Sequence, residues 1–262
     1  MKRASVMHLV LAAGLMGLAA CEKSTAPASL VDEALVTADV AQSAGDAIAN
    51  DVAILIGNEV NAALPAAGIS FDLFGVRADS LSTTRTRTCY DGADAVVANC
   101  GPATTRRIVF HVSVFGTRSG TNFTAVVHRV RDWTVTRNFN TAVPPAEVSR
   151  THDGVGTSAD TTTHTNPTAA ITRTHEESST DSTIAVTFNL PRASNPWPVS
   201  GMMVRRVSLH TTFQGPNRTD SRDFQKRVEV DFPADAQGNV VMKVNEKTCN
   251  LNLVTRAVTN CQ

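Results

Sequence analysis

The chain has 262 residues, with 24 basic and 24 acidic side chains and a formal net charge of zero. That balance argues against non-specific nucleic-acid binding, which feeds on a basic excess. The length fits one large all-β domain or two small ones, and no apolar run reaches the roughly 20 residues of a transmembrane helix.

The first element is an export signal. Lys2 and Arg3 precede an apolar core from Val6 to Leu18, which runs into Leu18-Ala19-Ala20-Cys21. A basic start, a short apolar middle and small residues before the cut make a secretory signal peptide. Leu18-Ala19-Ala20-Cys21 resembles the lipobox of bacterial lipoproteins, a resemblance that covers residues 1–21. It implies cleavage between Ala20 and Cys21, a diacylglycerol on the Cys21 thiol, and an acyl chain such as palmitate on the new amino group. Two chains already give stable anchoring. Glu22, where aspartate would favour the inner membrane in enterobacteria-like sorting, implies the outer membrane, with the body in the periplasm or at the cell surface.

Removing residues 1–20 takes Lys2 and Arg3 with it and leaves 22 basic against 24 acidic side chains. Residues 22–29 are small, polar and proline-bearing and read as a tether of at most roughly 28 Å. The region 30–64 reads as helix. Ser29 with Asp32 offers a capping signal, and Val40, Ala44, Ile48, Val52, Ile56, Val60 and Leu64 make one apolar stripe. Asp39, Asp46, Asp51 and Glu59 lie largely off it. Gly45 is a candidate break between two helices, and Pro65 and Gly68 end the segment. Residues 21–80 carry nine acids and two bases, whereas 81–262 carry 20 bases and 15 acids. Such opposed halves are expected to attract each other within one fold.

Beyond residue 80 the pattern becomes that of a sheet. Thirty of the 32 threonines fall there, and threonine and valine suit a pleated surface. Apolar residues alternate at Ile108, Phe110, Val112 and Val114, at Ile184, Val186, Phe188 and Leu190, and at Val207, Leu209 and Phe213. The alternation continues through Val228, Val230 and Phe232 to Val240, Met242 and Val244. One face of this sheet is dry and the other wet or ligand-facing. Turn signals fall at Asp91-Gly92, Gly116 to Gly120, Pro144-Pro145, Asp153-Gly154, Asn195 to Pro198, Gly215 to Asn217 and Gln237 to Asn239. Short connections predict a meander. The polar stretch 147–182 fits either long exposed strands or a loop.

Four cysteines follow Cys21. An even number in an exported chain predicts disulfides, and proximity favours Cys89–Cys100 and Cys249–Cys261 among the three connectivities. Zinc lacks a Cys-x-x-Cys pair or a nearby histidine here. His152, His164 and His175 share the polar stretch without metal-ligand spacing, so no metal ligand is assigned, and His111 and His210 fit the polar face of strands. Gly116-Thr117-Arg118-Ser119-Gly120 places its serine one position too late for a nucleophile elbow, and Asp153-Gly154-Val155-Gly156 lacks the ligands of a calcium loop. No catalytic residue and no cofactor are assigned. Trp197, between two prolines, is either an exposed aromatic contact or a loop anchor.

The expected architecture is mainly β with an N-terminal α-helix: a large antiparallel meander, open, half-barrel or sandwich, packed against an amphipathic helix. Residues 1–20 form the signal peptide, 21–29 the lipidated cysteine and tether, and 30–262 a single domain with helix about 30–64 and sheet about 81–262. A helix plus long meander looks like the half-barrels of bacterial lipoprotein carriers and receptors, whose concave face holds acyl chains, a fold-level analogy. The expected function is a membrane-anchored, non-enzymatic structural or interaction module of the envelope. The alternative is a carrier or binder of a lipid or other apolar ligand. A cavity along Phe110, Val112, Val186 and Phe188 would favour the carrier; a helix filling the concavity would favour the module. Expected partners are the membrane, through the lipid, and an envelope protein or apolar ligand, with no nucleic acid.

Overall fold

The computed structural model describes residues 31–57 and 80–262, apart from 121, 167, 169, 193 and 194. Ala20, Cys21, the tether and the predicted helical positions beyond residue 57 lie outside the described residues.

Helix α1 (Glu33–Gly57) is followed by β1 (Ser80–Tyr90), β2 (Val96–Val97), β3 (Arg107–Gly120), β4 (Phe123–Phe139), β5 (Glu147–Asn166) and β6 (Ile171–Asn189). Then come β7 (Ser200–Gln214), β8 (Thr219–Asp231), β9 (Asn239–Val244), β10 (Lys247–Asn252) and β11 (Val258–Thr259). All eleven strands form one open antiparallel sheet in the order β2-β1-β3-β4-β5-β6-β7-β8-β9-β10-β11. It is the predicted meander, apart from β2, which folds back outside β1. Both edge strands have two residues, and β2 pairs only with Cys89 and Tyr90 of β1. A disulfide staples each edge: Cys89 of β1 to Cys100, and Cys249 of β10 to Cys261, the two pairs expected from proximity.

The stretch 147–182 is strand almost throughout, split between β5 and β6, the two longest strands at 20 and 19 residues. Two predicted turns fall instead inside strands. Gly116 to Gly120 belongs to β3, and the reversal to β4 comes just after it. Asp153-Gly154 sits in mid-β5, where glycine serves close packing: a Cβ on Gly154 would lie 2.4 Å from both the Asp132 carbonyl oxygen and Trp133 Cδ1. Gly156 likewise makes way for the Arg131 side chain. Ile184 is exposed despite sharing parity with buried Val186 and Phe188. A bulge shifts the β6 register there, with Ala185 at φ 49°, so the inward set passes from Thr183 to Val186.

Asp32 itself caps α1, its Oδ1 accepting from the Ala34 and Leu35 amides at 2.8 and 3.4 Å. The stripe Val40, Ala44, Ile48, Val52 and Ile56 is buried in one core with Phe110, Val112, Val186 and Phe188. Gly45 does not break the helix. A Cβ there would approach Val258 Cγ2 at 2.7 Å and Leu251 Cδ1 at 3.2 Å, so glycine lets α1 settle onto β10 and β11. Each fully buried Val or Ile contributes about 1.5–3 kcal/mol, which outweighs the roughly 1 kcal/mol cost of one helical glycine.

Every residue from Ala44 to Ile56 is buried, the signature of a helix enclosed on all sides rather than lying on a flat sheet. Asp46 shows how. Its carboxylate accepts from Arg118 of β3 and from Arg256, which follows β10. Side chains from near opposite edges of the sheet, one on β3 and one on the β10–β11 connection, thus reach the same helix side chain, so the sheet curls around α1.

Candidate functional site

The inward face of the sheet is apolar at both flanks and ionic in the middle. On β4, Arg129 and Arg131 take the inward parity of Val127 and Trp133. On β5 and β6, Ser158, Asp160, Glu177, Ser179 and Asp181 do the same, and β7 adds Arg205. The helix brings Asp39, Asp46 and Asp51 down onto this stripe. The acidic N-terminal segment and the basic sheet attract each other in just these contacts.

The pairings are specific. Arg129 Nε and Nη2 donate to Asp160 Oδ2 at 2.9 and 2.7 Å. Arg131, 2% exposed, bridges Asp51 of the helix and Asp181 of β6, both at 2.9 Å. Arg205 sits 3.3 Å from both Asp181 and Glu177 and donates to Ser179 at 2.9 Å. Ser43 of the helix donates to Glu177 at 3.3 Å, and Ser158 to Asp181 at 3.1 Å. Removing one member of a buried pair leaves a stranded charge and costs about 3–5 kcal/mol. Burial pushes the Asp46 carboxyl up, but the guanidinium groups of Arg118, Arg129 and Arg256 outweigh it and hold the group below its ordinary value. The charge of this stripe is therefore balanced inside the fold.

Beside the first half of α1 lies a cavity of about 340 Å³. Phe123, Ala125 and Val127 form its apolar wall, and Asp46, Arg129 and Asp160 its charged floor. Asp39 and His164 also line it. At this rim Arg173 grips Asp39 at two points, Nε to Oδ2 at 2.8 Å and Nη2 to Oδ1 at 3.1 Å. The Nε2 atom of His175 lies 3.0 Å from Asp39 Oδ2, and its Nδ1 lies 2.9 Å from Thr211 Oγ1. His164 and His175 come together across β5 and β6, ring centroids 5.6 Å apart, because the register sets His164 opposite Arg173 and Thr162 opposite His175. Burial lowers the basicity of His164, which favours its neutral form. Burial raises Asp39, and its bonds to His175 and Arg173 reverse that and keep it ionised.

Other candidates read from the sequence fall elsewhere. His152 is buried edge-on to Phe188, centroids 5.2 Å apart, away from the pair it was grouped with. His111 and His210 are exposed on the outer face beside Asp132 and Asp223 at 2.8 and 2.7 Å. Trp197 is a loop anchor, 2% exposed, and a Cβ on Gly238 would lie 2.7 Å from its ring. The burial of Asp46 and Asp51 is not apparent from the sequence, because both lie off the apolar stripe of the helix. The available signal was Arg129 and Arg131 at the parity of Val127 and Trp133, since arginine on an inward parity requires an acid above it.

Among the described residues, no helix is long and apolar enough to cross a membrane. Comparison with family models, with curated proteins and with solved structures finds no match to this chain.

Proposed function

We propose that this chain is a lipid-anchored lipoprotein of the bacterial envelope, held at the outer membrane through Cys21, whose body is a non-enzymatic structural or interaction module. The observation that carries the reading is the position of α1. A carrier of acyl chains needs an open concave face, and here that face is occupied from Ala44 to Ile56 by the chain's own helix, fixed by Asp46 and Asp51 to buried arginines. Two disulfides support folding in an oxidising compartment. The surface left for a protein partner is the outer, largely polar face of the sheet.

A second reading, a binder of a small apolar ligand, is favoured by the cavity walled by Phe123, Ala125 and Val127. Its volume of about 340 Å³ falls at the lower end for small-molecule sites, roughly 300–1,000 Å³. It lies away from the Phe110–Phe188 region where a carrier would hold its load.

Detergent phase partitioning tests the anchor. Wild type is expected in the detergent phase with palmitate incorporated, and Cys21→Ala in the aqueous phase without label. A Cys21→Ala variant that partitions like wild type refutes it.

A further inference from the structure

We propose that Asp39, His164 and His175 form a binding site for a zinc-class divalent cation, with its remaining coordination position opening into the cavity beside α1. The inference is independent of the anchoring and interaction reading above.

The donor set comes first. One atom from each residue lies within 4.8 Å of the others. Two imidazole nitrogens and one carboxylate oxygen suit zinc, whereas magnesium and calcium take oxygen donors. Two bonds of about 2.0 Å at a tetrahedral centre place their ligand atoms about 3.3 Å apart. Asp39 Oδ2 and His175 Nε2, at 3.0 Å, are already near that spacing. The His164 ligand atom lies within 4.8 Å of the other two and would have to move closer to complete the set; its side chain borders the cavity.

The surroundings are those of a supported site. Thr211 is fully buried, and its hydroxyl lies 2.9 Å from His175 Nδ1. Without metal, Nε2–H donates to Asp39; a metal ion would displace that proton, and His175 would then hold its proton on Nδ1 and donate it to Thr211, leaving the Nε2 lone pair for the site. Metal-bound histidines almost always have such a partner on the second nitrogen. Arg173 does not block the carboxylate. An ionised carboxylate has about four lone-pair positions, and Arg173 engages one on each oxygen. Its charge does oppose the metal, so Arg173 sets the affinity: removing it should tighten binding.

Three protein ligands leave one tetrahedral position free, and Asp39 and His164 both face the cavity. A water or a ligand seated in the cavity would complete the shell. The three come from α1, β5 and β6, and His175 is 136 residues from Asp39 in sequence, so no local motif announces them.

The test is calorimetric titration of the detergent-extracted full chain with zinc chloride. Wild type should bind one zinc. His164→Gln and His175→Gln should weaken binding at least about tenfold, and Thr211→Val, which removes only the orienting hydroxyl, about tenfold. Arg173→Gln should bind more tightly, and His111→Gln on the outer face should match wild type. Near-UV circular dichroism selects the variants that keep the native fold, and Thr211→Val and His111→Gln alter neither charge nor inward packing volume much. No zinc binding by wild type, unaltered binding by a folded His164→Gln, or magnesium binding as tight as zinc would each overturn the assignment.

Discussion

Asp46→Asn is the sharpest probe of how the sheet is held around its helix. The Asp46 side chain is 9% exposed and accepts from Arg118 of β3 and from Arg256 in the β10–β11 connection, which reach it from near opposite edges of the sheet. Asparagine keeps the shape and one acceptor oxygen but removes the charge, leaving two guanidinium groups with no full counter-charge. Breaking a buried pair costs about 3–5 kcal/mol. In a domain of this size each kcal/mol lowers the unfolding midpoint by about 2–4 °C, so a drop of about 6–20 °C is expected by far-UV circular dichroism. A cycle with Arg118→Gln should show coupling of about 1–3 kcal/mol, since each change removes what the other has lost. A drop under about 2 °C would mean that Asp46 is solvated and that the sheet does not close onto the helix.

Other perturbations probe separate parts of the account. Burial raises Glu147, but hydrogen bonds from Arg137 and Arg150 outweigh it and lower the group from 4.5 to about 2. A depressed carboxyl stabilises fully above its unfolded value and loses that contribution as pH falls; the midpoint of wild type should decline between pH 4.5 and about 2 more steeply than that of Glu147→Gln. Equal slopes would contradict the pairing. Gly154→Ala puts a Cβ 2.4 Å from the Asp132 carbonyl oxygen and should cost about 1–3 kcal/mol by urea denaturation; a neutral result would place Trp133 elsewhere. Replacing Cys249 and Cys261 with serine opens a loop with a sequence separation of 12. It should cost about 3 kcal/mol and, by loosening the segment that carries Arg256, reduce the effect of Asp46→Asn. Strict additivity of the two would argue against that link.

The sheet was legible because its flanks are apolar: Phe110, Val112 and Val114, or Val240, Met242 and Val244, alternate without interruption and all face inward. Cysteine proximity similarly indicated both disulfides. Four things were not legible, each for a physical reason. Asp46 and Asp51 sit off an amphipathic stripe, and an acid there reads as solvated until the sheet is known to wrap the far side of the helix. Asp153-Gly154 has turn composition, yet the glycine answers to Trp133 on the neighbouring strand, a contact that no local window contains. The meeting of His164 and His175 depends on the β5–β6 register, which a shift of one residue would reverse to the opposite face. The bulge at Ala185 has the same character, since Ile184 continues the parity in sequence and departs from it in space.

Native mass spectrometry of the protein extracted from its own membrane tests the central claim most directly. A chain beginning at Cys21 with its mass raised by the attached acyl groups, and with no additional lipid bound, is the predicted result. A bound zinc would add only its own small mass and is told apart from a lipid at once. A stoichiometric co-purifying acyl lipid would contradict the filled concavity and make the body a carrier.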